Sequence, residues 1–300
     1  MFSVANARHH AHMCGIAGLY AKSPEVADRL GAHLSAMLGQ LGDRGPDSAG
    51  VAIYRDPVLP GQAKVSLLDP AGGGRDWAAL GDVVADRGDQ AVLCVDDGFV
   101  PPPELTVMGS GRAIEVAKRA GHPAELIATC GLEQLSGTHA VAHTRMATES
   151  RVTTNGSHPF STGDDLCLVH NGSLSNHNLV RRDLRRRGIE FATENDSEVA
   201  AGFLTWRLAE GDSLEEALGH ALHELDGFFT FAVGTYDGFA VLRDPVACKP
   251  AVLAETDDWV AVASEHRALA VLPGSDDADL WEPTPGRVYA WSGAGAGAAA

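Results

Sequence analysis

Short apolar runs of strand length stand near both ends of this 300-residue chain, and helical patterns lie between them. Apolar runs bounded by turn residues predict buried strands, whereas apolar residues recurring at i, i+3 and i+4 predict amphipathic helices. This order favours two sheets packed together with helices outside, a layered α+β body. The predicted strands are 15–20, 51–54, 139–143, 166–170, 228–233, 239–242 and 259–263, and the later predicted helices are 176–187, 197–210 and 214–225.

Two helices carry clear terminal signals. Leucine and methionine recur on one face between Leu30 and Leu41, and Gly42 ends that pattern. Ser213 and Glu216 have the spacing of a capping box, in which each side chain bonds the backbone N–H of the other residue. We therefore expect helices over 30–41 and from 214 onward.

The segment 55–137 has the weakest pattern, with Pro and Gly clustered at several points. It predicts a strand at 91–95 and helices near 112–120 and 123–130. We interpret this segment as an insertion packed on the main body, and we assign it no chemistry.

The ends of the chain differ in composition from the rest. Residues 1–13 are polar, contain histidine and lack a periodic pattern, which indicates a leader or a removed extension. Residues 292–300 are almost entirely Gly and Ala and are expected to be a mobile tail. The domain itself is expected to span residues 14–291.

The composition excludes several classes of function. The net charge of −17 argues against binding a nucleic-acid backbone, which needs a basic face. The five cysteines include no C-x-x-C pair, which argues against a zinc or iron–sulfur site in this chain. No run approaches the ~20 apolar residues of a membrane span, and no secretory signal precedes the first strand. We expect a cytoplasmic protein.

Cys14 stands directly before the first predicted strand. If the mature chain begins there, one residue carries both a thiol and a free α-amine with a pKa of about 7.7–8.0. Such an amine can accept the thiol proton and so activate an N-terminal nucleophile. The alternative is a small buried cysteine without a catalytic role.

Polar side chains follow two further strands and open one helix. Arg145 ends one strand and can hold a carboxylate with two hydrogen bonds. Asn171 and Gly172 follow another strand and can stabilise an oxyanion, and Asp196 at a helix start can bind an ammonium group. With a thiol, this set suits holding an α-amino acid and cleaving its side-chain amide. Taken singly, these residues also fit a surface ion pair, a plain turn and a helix cap at Asp196.

Together these stretches resemble the class II glutamine amidotransferases, which share an N-terminal-nucleophile glutaminase domain. Glucosamine-phosphate synthase, amidophosphoribosyltransferase, asparagine synthetase and glutamate synthase contain this domain. The matching segments are M-C-G-I at 13–16, R-G-P-D-S-A-G at 44–50, H-T-R-M-A-T at 143–148, G-S-H-P-F at 156–160, H-N-G at 170–172, N-D-S-E at 195–198, R-D-P-V-A-C-K-P at 243–250 and A-S-E-H-R-A-L at 263–269.

The resemblance implies a four-layer α/β/β/α sandwich and a role for each matched residue. It makes Cys14 the nucleophile with its own amine as the base. The other roles that it implies are glutamine α-carboxylate binding by Arg145 and Thr148, α-ammonium binding by Asp196, oxyanion stabilisation by Asn171 and Gly172, and pocket support by Arg44 and His158.

The chain departs from the family pattern at three points. Met146 stands where an aromatic residue commonly follows H-T-R, Glu149-Ser150 replaces the end of T-x-G, and Ala247 replaces a glycine. The residues before Cys14 are a fourth difference, because an attached leader would convert the α-amine into an amide.

The resemblance is strongest to stand-alone amidotransferase subunits of the glutamate-synthase-like branch, such as that of N-methylglutamate synthase. It implies glutamate-synthase-like partner subunits that carry FMN and an iron–sulfur cluster, with no cofactor in this chain. Two alternatives remain open at this stage: a free-standing γ-glutamyl amide hydrolase, and a non-catalytic structural subunit in which Cys14 is masked.

One basic cluster stands out in this acidic chain. The segment 181–187 contains five arginines in a predicted helix. It is interpreted either as a solvated face or as a docking surface for an acidic partner.

Overall fold

The computed structural model describes residues 14–147 and 152–293. The leader predicted at 1–13, Thr148, and the tail beyond residue 293 lie outside these ranges. The described strands are β1 (Gly15–Ala21), β2 (Ser48–Tyr54), β3 (Gln62–Leu68), β4 (Asp82–Asp86), β5 (Gln90–Asp96), β6 (Thr106–Gly111), β7 (Ile114–Ala120), β8 (His139–Arg145), β9 (Phe160–Gly163), β10 (Leu166–Leu174), β11 (Gly227–Gly234), β12 (Gly238–Arg243), β13 (Val252–Glu255), β14 (Trp259–Ala263), β15 (Asp279–Trp281) and β16 (Val288–Ser292). The described α-helices are α1 (Pro24–Asp28), α2 (Leu30–Leu41), α3 (Pro123–Cys130), α4 (His177–Arg186), α5 (Asp196–Ala209), α6 (Leu214–Glu224) and α7 (His266–Leu269).

Two antiparallel sheets form the body of the protein. The first sheet has the strand order β15-β13-β14-β1-β8-β2-β7, and the second has the order β16-β12-β11-β10-β9. β1 lies near the centre of the first sheet, where Ala17 pairs with Ala263 on one side and Ala142 on the other. The strand that follows Cys14 is therefore held by segments that come much later in the chain.

Three apolar clusters separate the four layers. Leu34 and Leu38 of α2 pack on Leu19 and Ile53 at the outer face of the first sheet. A second cluster fills the space between the sheets, and a third joins α5 and α6 to the second sheet. Full burial of a side chain such as Leu contributes about 1.5–3 kcal/mol. The described body is therefore a helix–sheet–sheet–helix sandwich.

A separate four-stranded sheet, in the order β4-β5-β3-β6, lies within the segment predicted as an insertion. It has its own small core around Trp77 and Leu93. The Lys64 ammonium of β3 lies 2.9 Å from the Glu115 carboxylate of β7, and both groups are buried. β7 itself pairs with β2 in the first sheet, so the end of segment 55–137 returns to the main body.

The predicted helix near 112–120 is wrong, because residues 114–120 form strand β7. Both faces of its first five residues are buried. These buried residues include Glu115 and Lys118, so the sequence shows neither a continuous apolar run nor a regular apolar and polar alternation. The helix predicted at 123–130 is confirmed as α3, and the capping box between Ser213 and Glu216 is present at the start of α6.

Across residues 14–147 and 152–293, no helix is long and apolar enough to cross a membrane.

Candidate active site

A cavity of about 670 Å³ opens where the end of β8, the middle of β10 and the start of α5 meet. Six of the eight site residues predicted from the sequence line it: Cys14, Arg145, His158, Asn171, Gly172 and Asp196. Arg44 lies behind Cys14, and Thr148 is outside the described ranges. Residues from distant parts of the chain therefore converge on one cavity.

The backbone of Cys14 is held by two side chains. Its carbonyl oxygen accepts hydrogen bonds from Arg44 Nε at 2.8 Å and from Asn171 Nδ2 at 3.1 Å. The thiol sulfur lies 3.9 Å from the carbonyl oxygen of Met146. The position of this residue is thus fixed through its backbone, and its thiol lines the cavity.

Arg44 is buried and positions Cys14 from outside the cavity. Its Nη1 lies 2.5 Å from a carboxylate oxygen of Glu265, a residue of the A-S-E-H-R-A-L segment. An arginine held by a carboxylate at one end presents its remaining donors in a fixed geometry. The two motifs at 44–50 and 263–269 therefore meet directly behind the thiol.

Asn171 and Gly172 lie within β10, which continues to Leu174 rather than ending in a turn. The φ angle of Gly172 is +156°, and an added Cβ would lie 2.0 Å from the carbonyl oxygen of Phe228. Only glycine allows the neighbouring strand to approach this closely. Asn171 and Gly172 thus line the cavity at adjacent positions of β10.

Arg145 and Asp196 reach the cavity from different elements, the end of β8 and the start of α5. Arg145 ends β8, and its Nη1 donates to the carbonyl oxygen of Gly156 at 3.3 Å. Asp196 accepts a hydrogen bond from the backbone N–H of Leu174 at 2.8 Å through Oδ2. A cation and a carboxylate on separate walls suit the two charged α-groups of an amino acid.

Asp196 is not the N-cap of α5, contrary to one interpretation of the sequence. The N-cap is Asn195, whose side-chain oxygen accepts from the backbone N–H of Ser197 at 2.9 Å. Asn195 has an extended backbone, as a cap requires, whereas Asp196 is already the first helical residue. The carboxylate of Asp196 therefore contacts β10 through Oδ2, while its Oδ1 lies 3.4 Å from the Ser197 hydroxyl of its own helix.

Three buried histidines cluster at the cavity, two of which, His158 and His170, line it; sequence reasoning assigned only His158 a role. The Ser197 hydroxyl lies 2.9 Å from both His158 Nε2 and His170 Nδ1, and the His143 ring stacks on that of His158 with centroids 4.0 Å apart. One hydroxyl supplies one proton, so it can donate to one ring while accepting from the other. Each of the three histidines lies within a motif already noted, but nothing in the sequence showed that their rings meet.

Burial keeps these imidazoles neutral. It lowers the pKa of His143 to about 3 and that of His170 to about 4, and it lowers the pKa of His158 well below the usual value. The positive charge of the neighbouring Lys249 further lowers the pKa of His170, whereas Asp196 acts in the opposite direction. At neutral pH the floor of the cavity is polar but uncharged.

The described residues include no group of three His, Cys, Asp or Glu side chains that could hold a metal ion. The chemistry available at the cavity is that of a thiol, hydrogen-bond donors for an oxyanion, an arginine and a carboxylate. This set suits attack on the side-chain amide of an amino acid.

Comparison with known proteins agrees with that chemistry. A sequence model of the glutamine amidotransferase domain matches residues 143–271. The glutamine amidotransferase-like protein GlxB of Rhizobium meliloti is 49% identical over 93% of this chain and 98% of its own length. A putative glutamine amidotransferase of Methanothermobacter thermautotrophicus is 32% identical over 92% of this chain and 99% of its own length.

This chain belongs to the glutamine amidotransferase family. The glutamine phosphoribosylpyrophosphate amidotransferase of B. subtilis shares the fold, with a TM-score of 0.64 at 20% identity. The match covers 94% of this chain and 48% of the solved chain, so this chain spans about half the length of that enzyme. The predicted four-layer α/β/β/α sandwich and the resemblance to glutamine amidotransferases are confirmed. The roles of single residues in this amidotransferase, and its branch, stay predictions.

Proposed function

We propose that this chain is a glutaminase subunit that hydrolyses L-glutamine to glutamate and passes the ammonia to a separate synthase subunit. The observation that carries the proposal is the convergence of Cys14, Arg145, Asn171 and Asp196 on one cavity. In this proposal Arg145 binds the α-carboxylate of glutamine and Asp196 binds its α-ammonium group. The side-chain amide is then presented to the thiol.

The proposed reaction has two halves. The α-amine of Cys14 takes the thiol proton, and the sulfur attacks the δ-carbon of glutamine to form a tetrahedral oxyanion. Asn171 and Gly172 donate hydrogen bonds to that oxygen. The C–N bond then breaks, the amine-bound proton goes to the departing ammonia, and a γ-glutamyl thioester remains. Water attacks the thioester, which releases glutamate and restores the thiol.

For the acceptor, we propose a glutamate-synthase-like partner, with N-methylglutamate synthase as the specific complex. The segments H-T-R-M-A-T-E-S and D-P-V-A-C-K-P support this branch. FMN and an iron–sulfur cluster would then belong to the partner subunits, since the thioester chemistry uses only groups of this chain.

The experiment compares wild-type protein with Cys14→Ala and with Cys94→Ala as the matched control. Cys94 lies in β5 of the small sheet, away from the cavity. We expect Cys14→Ala to abolish ammonia release from glutamine and Cys94→Ala to retain it. Equal activity in all three proteins would refute the proposal.

Mass spectrometry of the same preparations tests the proposed base. We expect the active chain to begin at Cys14, because only then is its amine free. Full glutaminase activity in a chain that retains Met1 would exclude the amine as the base. Stable co-purification with synthase subunits would separate the proposed subunit from a free-standing hydrolase.

A further inference from the structure

A second cavity, of about 410 Å³, lies beside the glutamine cavity and is lined largely by arginine. Its walls are Asn178, Arg181, Arg182, Arg185, Arg186 and Glu194. In the described part of the chain, Glu194 and Asp183 are the acidic groups that pair with these arginines. Four arginines against two carboxylates leave two positive charges in excess, in a protein whose net charge is −17.

The deepest of these groups is Arg181, whose side chain is 3% exposed. Its guanidinium pairs with Glu194, and its Nη2 donates to the carbonyl oxygen of Asn195 at 3.0 Å. Its Nε is buried and has no hydrogen-bond partner. A buried donor without a partner is unfavourable unless a ligand or solvent satisfies it. Arg181 therefore has, beside the cavity, a buried N–H that no other described group satisfies.

The outer arginines form one face of α4. The side chains of Arg182, Arg185 and Arg186 are 61%, 54% and 70% exposed. Residues three and four apart on a helix are neighbours, and like charges at that spacing repel each other. An anion placed among them relieves the repulsion.

We propose that this cavity binds a phosphoryl dianion. The charge of such a group matches the two excess positive charges, and its oxygens accept from guanidinium groups that approach from several directions. A planar carboxylate presents fewer acceptor directions to four separate guanidinium groups. The ligand class is thus a free phosphate compound that carries a terminal phosphoryl group.

Glu194 links this site to glutamine binding, a step that rests on the proposed function. Its side chain lines both cavities, and its carboxylate lies against Arg181 and 3.9 Å from Arg185. A bound phosphoryl group competes with Glu194 for these arginines. Asn195 and Asp196 follow Glu194 directly, so displacement of Glu194 loosens the segment that holds the ammonium-binding carboxylate. We expect phosphate and glutamine to weaken each other's binding by the same factor.

The test measures binding of inorganic phosphate at pH 8 and low ionic strength by equilibrium dialysis, using the full chain. We expect saturable binding at one site per chain and at least a tenfold weaker affinity in Arg182→Ala. Glu194→Gln should bind phosphate several-fold more tightly, because a competing charge is removed. Arg29→Ala, at an exposed arginine between α1 and α2, is the matched control and should bind like wild type.

Unchanged affinity in Arg182→Ala would overturn the site. Tighter binding of succinate than of phosphate would also overturn it, as would binding of heparin without binding of phosphate.

The coupling between the two sites is measured in Cys14→Ala, which should bind glutamine without turnover. Saturating glutamine should raise the phosphate Kd several-fold. An unchanged Kd with glutamine bound refutes the coupling. If glutamine does not bind while phosphate follows the arginine variants, the proposed function fails and the anion site stands.

Discussion

Asn171 makes two contacts in the proposed mechanism, and the structure shows one of them. Its Nδ2 donates to the Cys14 carbonyl oxygen at 3.1 Å, which leaves the second hydrogen of the amide for the oxyanion. We expect Asn171→Ala to lower kcat by about 10²–10³-fold with little change in KM, since the lost donor acts mainly in the transition state. A lowered Tm should accompany this change because Cys14 loses one of its two anchors. Steady-state kinetics and thermal melting on one preparation would check both; normal kcat with a lowered Tm would remove Asn171 from the site.

Ala247 has a backbone conformation that residues with a Cβ atom rarely adopt. Its φ angle is +55°, in the left-handed region that favours glycine, and glycine is usual here in the family pattern. The loop is held in this shape because Asp244 Oδ2 accepts from the backbone N–H groups of Val246 and Ala247. We expect Ala247→Gly to raise the free energy of unfolding by up to about 1 kcal/mol. Urea denaturation would test this, and a clear loss of stability would contradict it.

At the scale of residues, most of the predicted site residues line the cavity, because each motif is a short contiguous segment that can be recognised in the sequence. Cys14, Arg145, Asn171 and Asp196 could each be named from their neighbours in the chain. The hydrogen bond from Asn171 to Cys14 could not be predicted from the sequence, and neither could the contacts of Ser197 with two histidines. These contacts depend on strand pairing between segments that are far apart in sequence.

At the scale of elements, α2 contains two glycines that should respond to substitution in opposite ways. A Cβ on Gly31 would lie 1.9 Å from the carbonyl oxygen of Leu132, whereas nothing lies within 4 Å of a Cβ on the exposed Gly39. We expect Gly31→Ala to destabilise the fold by about 3 kcal/mol through overpacking. Gly39→Ala should stabilise it by about 0.5–1 kcal/mol through higher helix propensity. Urea midpoints of the two variants would check these predictions. Equal changes in stability would show that the packing around α2 does not determine the effect of the substitutions.

The type of an element was predictable where a helical period or a continuous apolar run was clear, and the prediction was wrong at β7, where charged residues interrupt the apolar run. The pattern from Leu30 to Leu41 faces one sheet only, so its helical period is visible, and the structure has α2 there. β7 is buried on both faces yet contains Glu115 and Lys118, so its sequence shows neither a continuous apolar run nor a regular alternation. The strand order within each sheet was also beyond reach, because it depends on which long-range pairings bury the most surface.

At the scale of the whole molecule, the buried histidines make stability depend on pH. Burial lowers the pKa of His143 to about 3 and that of His170 to about 4, while histidines of the unfolded chain titrate near 6.5. Between those values the unfolded state binds more protons than the folded state, so the free energy of unfolding falls as pH falls. The loss begins below about pH 6.5 and amounts to about 1.4 kcal/mol per pH unit for each such histidine.

Urea denaturation at pH 7.5 and pH 5.0 would measure this loss. His143→Gln should lose about 2 kcal/mol less than wild type over that interval, since one titrating group is gone. His223→Gln, at an exposed position on α6, is the control and should follow wild type. An identical pH dependence in all three proteins would mean that His143 does not titrate in this way.

The central place of β1 also has a consequence for how the protein is made. Ala17 emerges early in synthesis, yet its partner Ala263 is translated near the end of the chain. Contacts of such long sequence separation slow folding, because loop closure precedes any gain from pairing. The pairing of the strand that follows Cys14 is therefore complete only after nearly the whole polypeptide has been synthesised. A ribosome-bound nascent chain that lacks β14 has an unfinished first sheet beside Cys14, so under the proposed function we expect ammonia release only from the full-length protein.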